Sequence, residues 1–386
     1  MASSIILLVE EIRKRKMVNP ETKSLAEFYP MVGGDGARSY AKNSCHQRVV
    51  VDATKEMVKD AIADNLDLKT MEIDASRTFK MVDLGSSTGP NTFIAVQNII
   101  EAVEQKYLAQ HQNPSALEFQ VFFNDHYDND FNTLFKSLPP SRNYFATGVR
   151  GSFHGRLFPN STLHFVYSSY ALRWLSKDPE EIVDSKSPAW NKGSIQCTGF
   201  VKEVAEAYAV QFKNDMECFL NARAEELVGG GLMVIVISTL PNEIPISNTT
   251  EGKIYDLLGS CLIYLVKMGL ISEEKVDCFN FPLYYPNPKE FETIIERNGL
   301  FTIERTNILA YAAMEKTFSA VDSTSKIRAV FEGLIKEHFG NEVVNQIFNH
   351  FTTKLLTGNI LTIDDLENHN KIDLFISLKR IDHQLI

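Results

Sequence analysis

The stretch FKMVDLGSSTGPNTF, residues 79–93, runs an apolar segment into one acid, then into a turn of glycine, serine and threonine, and then into a helical pattern. A strand that stops in a small-residue turn and feeds a helix exposes backbone N–H groups and lets a ligand come close. Downstream, Phe93, Val96, Ile100, Val103 and Tyr107 recur at spacings of three and four, marking an amphipathic helix that starts at Pro90 and Asn91. The run EFQVFFND (118–125) then closes a strand, turn, helix, strand unit whose crossover should be right-handed.

Working outward, further strands are expected at 144–149, 163–168, 232–238, 301–307 and 372–379, beside those at 79–85 and 118–125. Most are continuously apolar, as strands covered on both faces should be. The fold class is therefore α/β, a Rossmann-like seven-stranded sheet. Residues 171–231 interrupt the alternation with a polar loop (176–199) and a helix near 200–227, and helical patterns at 252–270 and 324–357 exceed what the sheet needs. They read as a helical cap over the carboxyl ends of the strands, where open α/β sheets bind ligands. The expected organisation is an extension at 1–28, poorly ordered or helical, followed by a single domain at 29–386 whose cap comes from insertions at about 176–228, 245–290 and 310–360.

A formal net charge of -10 leaves no basic stripe for a phosphate backbone, so nucleic acid is not an expected partner. The five cysteines (Cys45, Cys197, Cys218, Cys261, Cys278) are scattered without CxxC pairing, which fits reduced thiols in the cytoplasm. The opening MASSIILLVEEIRKRK has a short apolar run with acids directly behind it and no basic residue before it, so it is not expected to act as a secretory signal. No run approaches the roughly 20 apolar residues of a membrane span, and no membrane partner is expected.

In a nucleotide-binding unit of this kind, the first turn meets the polar tail of the cofactor and an acid after the second strand accepts from ribose hydroxyls. Here those positions hold Asp83 and Asp125, 42 residues apart, a gap filled by a long helix and the loop AQHQNPSAL. The pattern is DxGxxxG rather than GxGxxG. Asp83 stands where a phosphate would be repelled and a cation attracted, so S-adenosylmethionine, with its sulfonium and ribose, suits the charges better than NAD. The P-loop and HExxH patterns are missing, GSFHG (151–155) lacks the spacing of a nucleophile elbow, and the scattered histidines propose no triad.

Several stretches together resemble the plant SABATH family of S-adenosylmethionine-dependent methyltransferases, which make methyl esters of small acids or N-methyl xanthines. They are MVGGDGARSYAKNSCHQR (31–48), DLGSSTGPNTF (83–93), FQVFFNDHYDNDFNTLFKSLP (119–139), GVRGSFHGRLFP (148–159), LHFVYSSYALRWLS (163–176), WNKGSI (190–195), ARAEELVGGG (222–231), EEKVDCFNFPLYYP (273–286) and EHFG (337–340). The resemblance implies that Tyr40, Ser86, Asn91, Asp125, His126, Ser152 and Phe153 line the cofactor site, with Asp83 nearby. It implies that Gln47 and Trp174 hold the substrate carboxylate through N–H donors, with Tyr170 and Arg173 in the same pocket and Tyr255, Ile254, Tyr284, Ile327 and Val330 as further walls. It also implies a magnesium site at Asn191, Asp277, Phe279 (through its carbonyl) and Asn280, not catalytic, and a homodimer.

Methyl transfer to a carboxylate needs no general base, because the acid is ionised at neutral pH, so no catalytic residue beyond positioning is expected. N-methylation of a purine alkaloid, and a paralogue that binds without turnover, are the alternatives. This chain departs from the family pattern at Val32, where many relatives carry lysine, at Ser86, which replaces a common cysteine, and at Arg173, which replaces histidine or methionine. An arginine facing the pocket suggests an acid with a second anionic or polar group.

Overall fold

The computed structural model describes residues 30–69, 71, 77–110, 117–241, 244–309, 319–358 and 372–382. The extension expected at 1–28 lies outside them. Strands β1 (Thr78–Leu84), β2 (Glu118–Asp125), β3 (Phe145–Arg150), β4 (Leu163–Ser169), β5 (Leu227–Thr239), β6 (Phe301–Ile308) and β7 (Ile372–Arg380) form one sheet. Its order is β3-β2-β1-β4-β5-β7-β6. Neighbours from β3 to β5 pair in parallel, and β7 lies antiparallel between β5 and β6.

Every strand stands close to its expected place, and β5 alone starts well before its expected start at 232. Its early part contains Gly229, Gly230 and Gly231, and the pairing with β4 slips there, from Leu163 opposite Leu227 to Phe165 opposite Leu232. Gly230 has φ +70, a backbone that glycine adopts without strain and that lets the strand continue through the slip.

Helices α1 (Tyr40–Asn43) and α2 (Cys45–Asn65) precede β1, α3 (Pro90–Gln110) joins β1 to β2, and α4 (Phe131–Lys136) joins β2 to β3. Then come α5 (Lys202–Glu226), α6 (Thr250–Lys267), α7 (Glu273–Asp277) and α8 (Pro288–Asn298), with α9 (Ala320–Phe339) and α10 (Asn341–Thr357) between β6 and β7. Val50, Ile62, Val96 and Ile100 of α2 and α3 bury against Phe79, Met81, Phe123 and Phe165 on one face of the sheet. On the other face Val82, Val166, Met233 and Ile235 meet α5 and α8.

The helix at 202–226, counted with the cap on sequence grounds, thus belongs to the sheet layer. Its Val204, Tyr208, Phe212, Met216 and Phe219 form one stripe, and that stripe shares the core of the strands. A separate cluster built from α6, α9, α10 and the segment around Phe279–Tyr285 includes Leu258, Leu262, Phe281, Phe331, Ile347 and Phe351. Trp174, just past β4, packs against this cluster and bridges by backbone to Leu283.

Candidate active site

The strand order reverses between β1 and β4, and the turns beyond the carboxyl ends of β1, β2 and β4 form the site. Gly85 has φ +82, and a Cβ there would lie 2.4 Å from Ala171 Cβ, so only glycine fits. The amides of Gly85 and Ser86 donate to the Asn124 carbonyl at 2.9 and 3.0 Å. The Asn124 amide donates onward to the carbonyls of Val149 and Gly151 at 2.9 and 3.0 Å, joining the ends of three strands.

Both expected acids are here. Asp125 accepts from the Ser87 amide and from the His126 amide, each at 2.7 Å. Asp83 is buried and accepts from Thr92 Oγ1. Burial pushes the Asp83 carboxyl up to about 7, partly opposed by the Thr92 hydrogen bond and reinforced by the charge of Asp125. Burial also raises Asp125, against the two amides that favour its ionised form. Among the described residues neither acid has an ion-pair partner, so the negative charge that this turn can carry is left for a ligand.

A cleft of about 860 Å³, counted to its mouth, opens over these turns and is lined by Tyr40, Gln47, Gly85, Asp125, His126, Ser152, Phe153, Tyr170, Arg173, Trp174 and Val330. A recess of about 420 Å³ shares Tyr40, Gln47 and Gly85 and adds Asp83, Ser86 and Asn91. The residues expected at cofactor and carboxylate from five separate segments are therefore brought together. Ser87 Oγ, Thr88 Oγ1 and His126 Nδ1 are buried beside the site without a hydrogen-bond partner among the described residues. Buried acceptors, orphaned hydroxyls, a glycine cradle and the Phe153 ring fit a nucleoside carrying a cationic centre.

Tyr170 holds φ +62, a strained backbone for a non-glycine residue, in the turn after β4. Its amide donates to the Val236 carbonyl at 2.8 Å and its hydroxyl donates to Asp373, with His46 Nε2 3.0 Å from the same hydroxyl. Asp373 also accepts from Ser238 Oγ at 2.7 Å. The expected site did not include His46, Asp373 or Ser238. Ser238 and Asp373 lie outside the family-matching stretches, His46 lies within the one at 31–48, and their convergence depends on β7 inserting between β5 and β6.

Arg173 Nη1 donates to Tyr285 Oη at 2.8 Å, and its guanidinium lies over the rings of Tyr170 and Tyr285 at 5.8 and 5.6 Å. Tyr255, expected as a pocket wall, stands behind Tyr285, hydroxyl to hydroxyl at 2.9 Å, and does not line the cleft. Tyr284 likewise faces away, toward Glu290 at 3.0 Å, because alternate residues of an extended segment point to opposite sides. Ile254 and Ile327 pack against the cap cluster, and Val330 reaches the cleft.

A second missed group supports the Ser152–Phe153 wall. Arg223 and Glu226, fully buried, pair at 2.7 Å. Arg223 donates to the carbonyls of Phe153 and Gly155 at 2.6 and 2.8 Å, while Glu226 accepts from the amides of Leu157 and Phe158. The ARAEEL stretch holds both residues, and a buried pair three residues apart at a helix end was its only signal.

The residues expected for magnesium do not fit a metal. Asn191 directs its amide N–H at Asn280 Oδ1 (2.7 Å) and the Gln196 carbonyl (2.9 Å). Asp277, the one carboxylate, accepts from the Gly193 amide at 3.2 Å and lies 3.9 Å from the Lys192 ammonium. The Asn280 side-chain oxygen is thus taken up by the Asn191 amide and the carboxylate faces a cation, in a network that holds loops together. Phe279 is buried among Phe281, His338 and Phe339. Among the described residues no cluster of histidine, cysteine and acidic side chains has metal-binding geometry.

A family model described as SAM dependent carboxyl methyltransferase matches residues 26–381. The loganic acid O-methyltransferase of Catharanthus roseus is 46% identical over 363 residues, which cover 94% of this chain and 96% of that protein. The farnesoic acid carboxyl-O-methyltransferase of Arabidopsis thaliana is 43% identical, covering 84% of this chain and 91% of that protein. A solved structure of loganic acid methyltransferase with SAH superposes with a TM-score of 0.86 at 45% identity, covering 92% of this chain and all of that one.

Proposed function

Because the chain belongs to the S-adenosylmethionine-dependent carboxyl methyltransferase family, we propose that its cleft holds the methyl donor at one end and the carboxylate of a small organic acid at the other. The protein transfers a methyl group from S-adenosylmethionine to a carboxylate, giving a methyl ester. When bound, this donor supplies an electrophilic methyl on a sulfonium. The observation that carries the division of the cleft is its lining: Asp125, Ser152 and Phe153 stand beside Gln47, Tyr170 and Trp174 around one opening.

Under this reading Asp125 accepts from the ribose hydroxyls with the lone pairs that the Ser87 and His126 amides leave available. Ser152 and Phe153 border the purine, and Tyr40, Asp83, Ser86 and Asn91 surround the amino-acid tail. Asn91 is held by its own N–H bonds to Ser44 at 2.9 and 3.0 Å, which fixes its amide. Gln47 and Trp174 donate N–H groups to the acceptor and leave one oxygen facing the donor. These residues orient and exclude water; none removes a proton, because none needs removing. The fixed positive charge of Arg173 disfavours a neutral xanthine. The scattered free cysteines support the further reading of a cytoplasmic enzyme, taken with the family as a homodimer.

The test is a panel of small acids, the named acids of the two relatives included, incubated with protein and methyl-labelled S-adenosylmethionine. Label appearing as ester methyl supports the reading. Donor binding with no ester from any acid contradicts it.

A further inference from the structure

We propose that Arg173 anchors a second carboxylate of the acceptor, so that the enzyme prefers dicarboxylic acids and releases their monomethyl esters. The inference rests on the carboxyl-methylation reading and adds the class of acid.

It starts from a comparison of the half-buried Arg173 with the two buried arginines, Arg223 and Arg328. Arg223 is matched by Glu226 and two carbonyls, and Arg328 by Glu332 and Asn345 Oδ1. Arg173 has one neutral partner, the Tyr285 hydroxyl, which is itself engaged with Tyr255. Among the described residues its buried Nε has no hydrogen-bond partner and its guanidinium makes no ion pair within 4.0 Å. A guanidinium carries five N–H donors in a planar fork that matches a carboxylate. Glu251 and the tyrosine hydroxyls act on the guanidinium through space, but among the described residues no carboxylate touches it, and a fork enclosed between two aromatic rings with no anion in contact is unfavourable unless a ligand brings one.

The side chain lines the cleft, adjacent in sequence to Trp174. A cation on the attacking oxygen would withdraw the electron density that the reaction uses, whereas Gln47 and Trp174 offer neutral N–H donors. The cleft therefore sorts two carboxylates: one on the guanidinium and one left nucleophilic. The free carboxylate oxygen gives a lone pair to the new O–CH3 bond as the S–CH3 bond breaks with its electron pair left on sulfur. No proton moves, and the dianion leaves as a monoanion. A second methylation would turn the molecule round and seat a neutral ester on the guanidinium, so the reaction stops at one ester.

The experiment compares straight-chain diacids of about four to about twelve carbons with monoacids of equal length. Binding to the full chain saturated with S-adenosylhomocysteine is read by calorimetry, and products with S-adenosylmethionine by mass spectrometry. At the best length the diacid should bind at least about 10-fold tighter than its monoacid, the effect of a charge-assisted hydrogen bond. Arg173→Met should bring that ratio to within about twofold, and Arg173→Lys should keep part of it, with S-adenosylhomocysteine affinity reporting that each variant is folded. A wild-type ratio near one at every length, an unchanged ratio in Arg173→Met, or diester as the main product overturns the proposal. If the ratio holds and no acid is esterified, the anchor stands and the methyl-transfer reading fails.

Discussion

The Ser87 amide donates to Asp125 Oδ2 at 2.7 Å, so the turn after the first strand is fastened to the acid that ends the second. Ser87 has φ +52, a left-handed residue that points its N–H outward to reach that oxygen. The same carboxylate is thus a structural clasp and the proposed ribose acceptor. Asp125→Asn keeps the shape and removes the charge. The dissociation constants of S-adenosylmethionine and S-adenosylhomocysteine are expected to rise by roughly 10- to 100-fold. Calorimetry decides, and an unchanged constant would remove Asp125 from the site.

Asp83 gives a pH dependence of defined sign. Its carboxyl rises from 3.8 to about 7 in the folded chain, so the folded state holds this proton more tightly than the unfolded state. The stability it contributes is full below about 3.8 and is lost as pH rises through about 7. A cationic ligand favours the carboxylate, so binding of S-adenosylmethionine should release protons and tighten from pH 6 to pH 8. Calorimetry in buffers of different ionisation enthalpy measures the release, and Asp83→Asn should flatten the profile. Proton uptake on binding would contradict the assignment.

Arg223 and Glu226 hold the loop that carries Ser152 and Phe153. Arg223→Met strands a buried carboxylate and should cost about 3–5 kcal/mol by chemical denaturation. The paired change Arg223→Met with Glu226→Gln should recover part of that loss. Cofactor affinity should fall with the single variant, because the loop loses two of its carbonyl contacts.

Gly85→Ala puts a methyl group 2.4 Å from Ala171 Cβ in a backbone with φ +82. Either that turn or the one bearing Tyr170 must shift. A stability loss of about 2 kcal/mol or more, with loss of measurable cofactor binding, is expected. Retained affinity would show that the two turns are free to move apart.

Chelation should leave activity unchanged. The Asn191 amide takes the Asn280 side-chain oxygen and the Lys192 ammonium faces Asp277, so two of the groups that a cation would use are already engaged. Activity lost to a chelator and restored by magnesium would overturn this.

Local rules made the strands and the first turn legible. Continuous apolar runs mark strands covered on both faces, and glycine at 85 marks a turn that side chains cannot take. The acids at 83 and 125 could be found because they end neighbouring strands. What stayed hidden depends on long-range packing. Helix 202–226 has a stripe that serves equally for cap or sheet, and only the third dimension assigns it. Tyr255 and Tyr285 share one hydrogen bond, yet which of them faces Arg173 depends on how the cap segment turns. Asp373 reaches Tyr170 from 203 residues away along the chain.

The most direct single measurement follows the fate of a labelled methyl group. Protein, S-adenosylmethionine labelled with 13C at the methyl, and an acid that the panel selects should yield S-adenosylhomocysteine and a 13C methyl ester in equal amounts by NMR. Label on nitrogen, or S-adenosylhomocysteine formed with no ester, would contradict transfer to a carboxylate in this cleft.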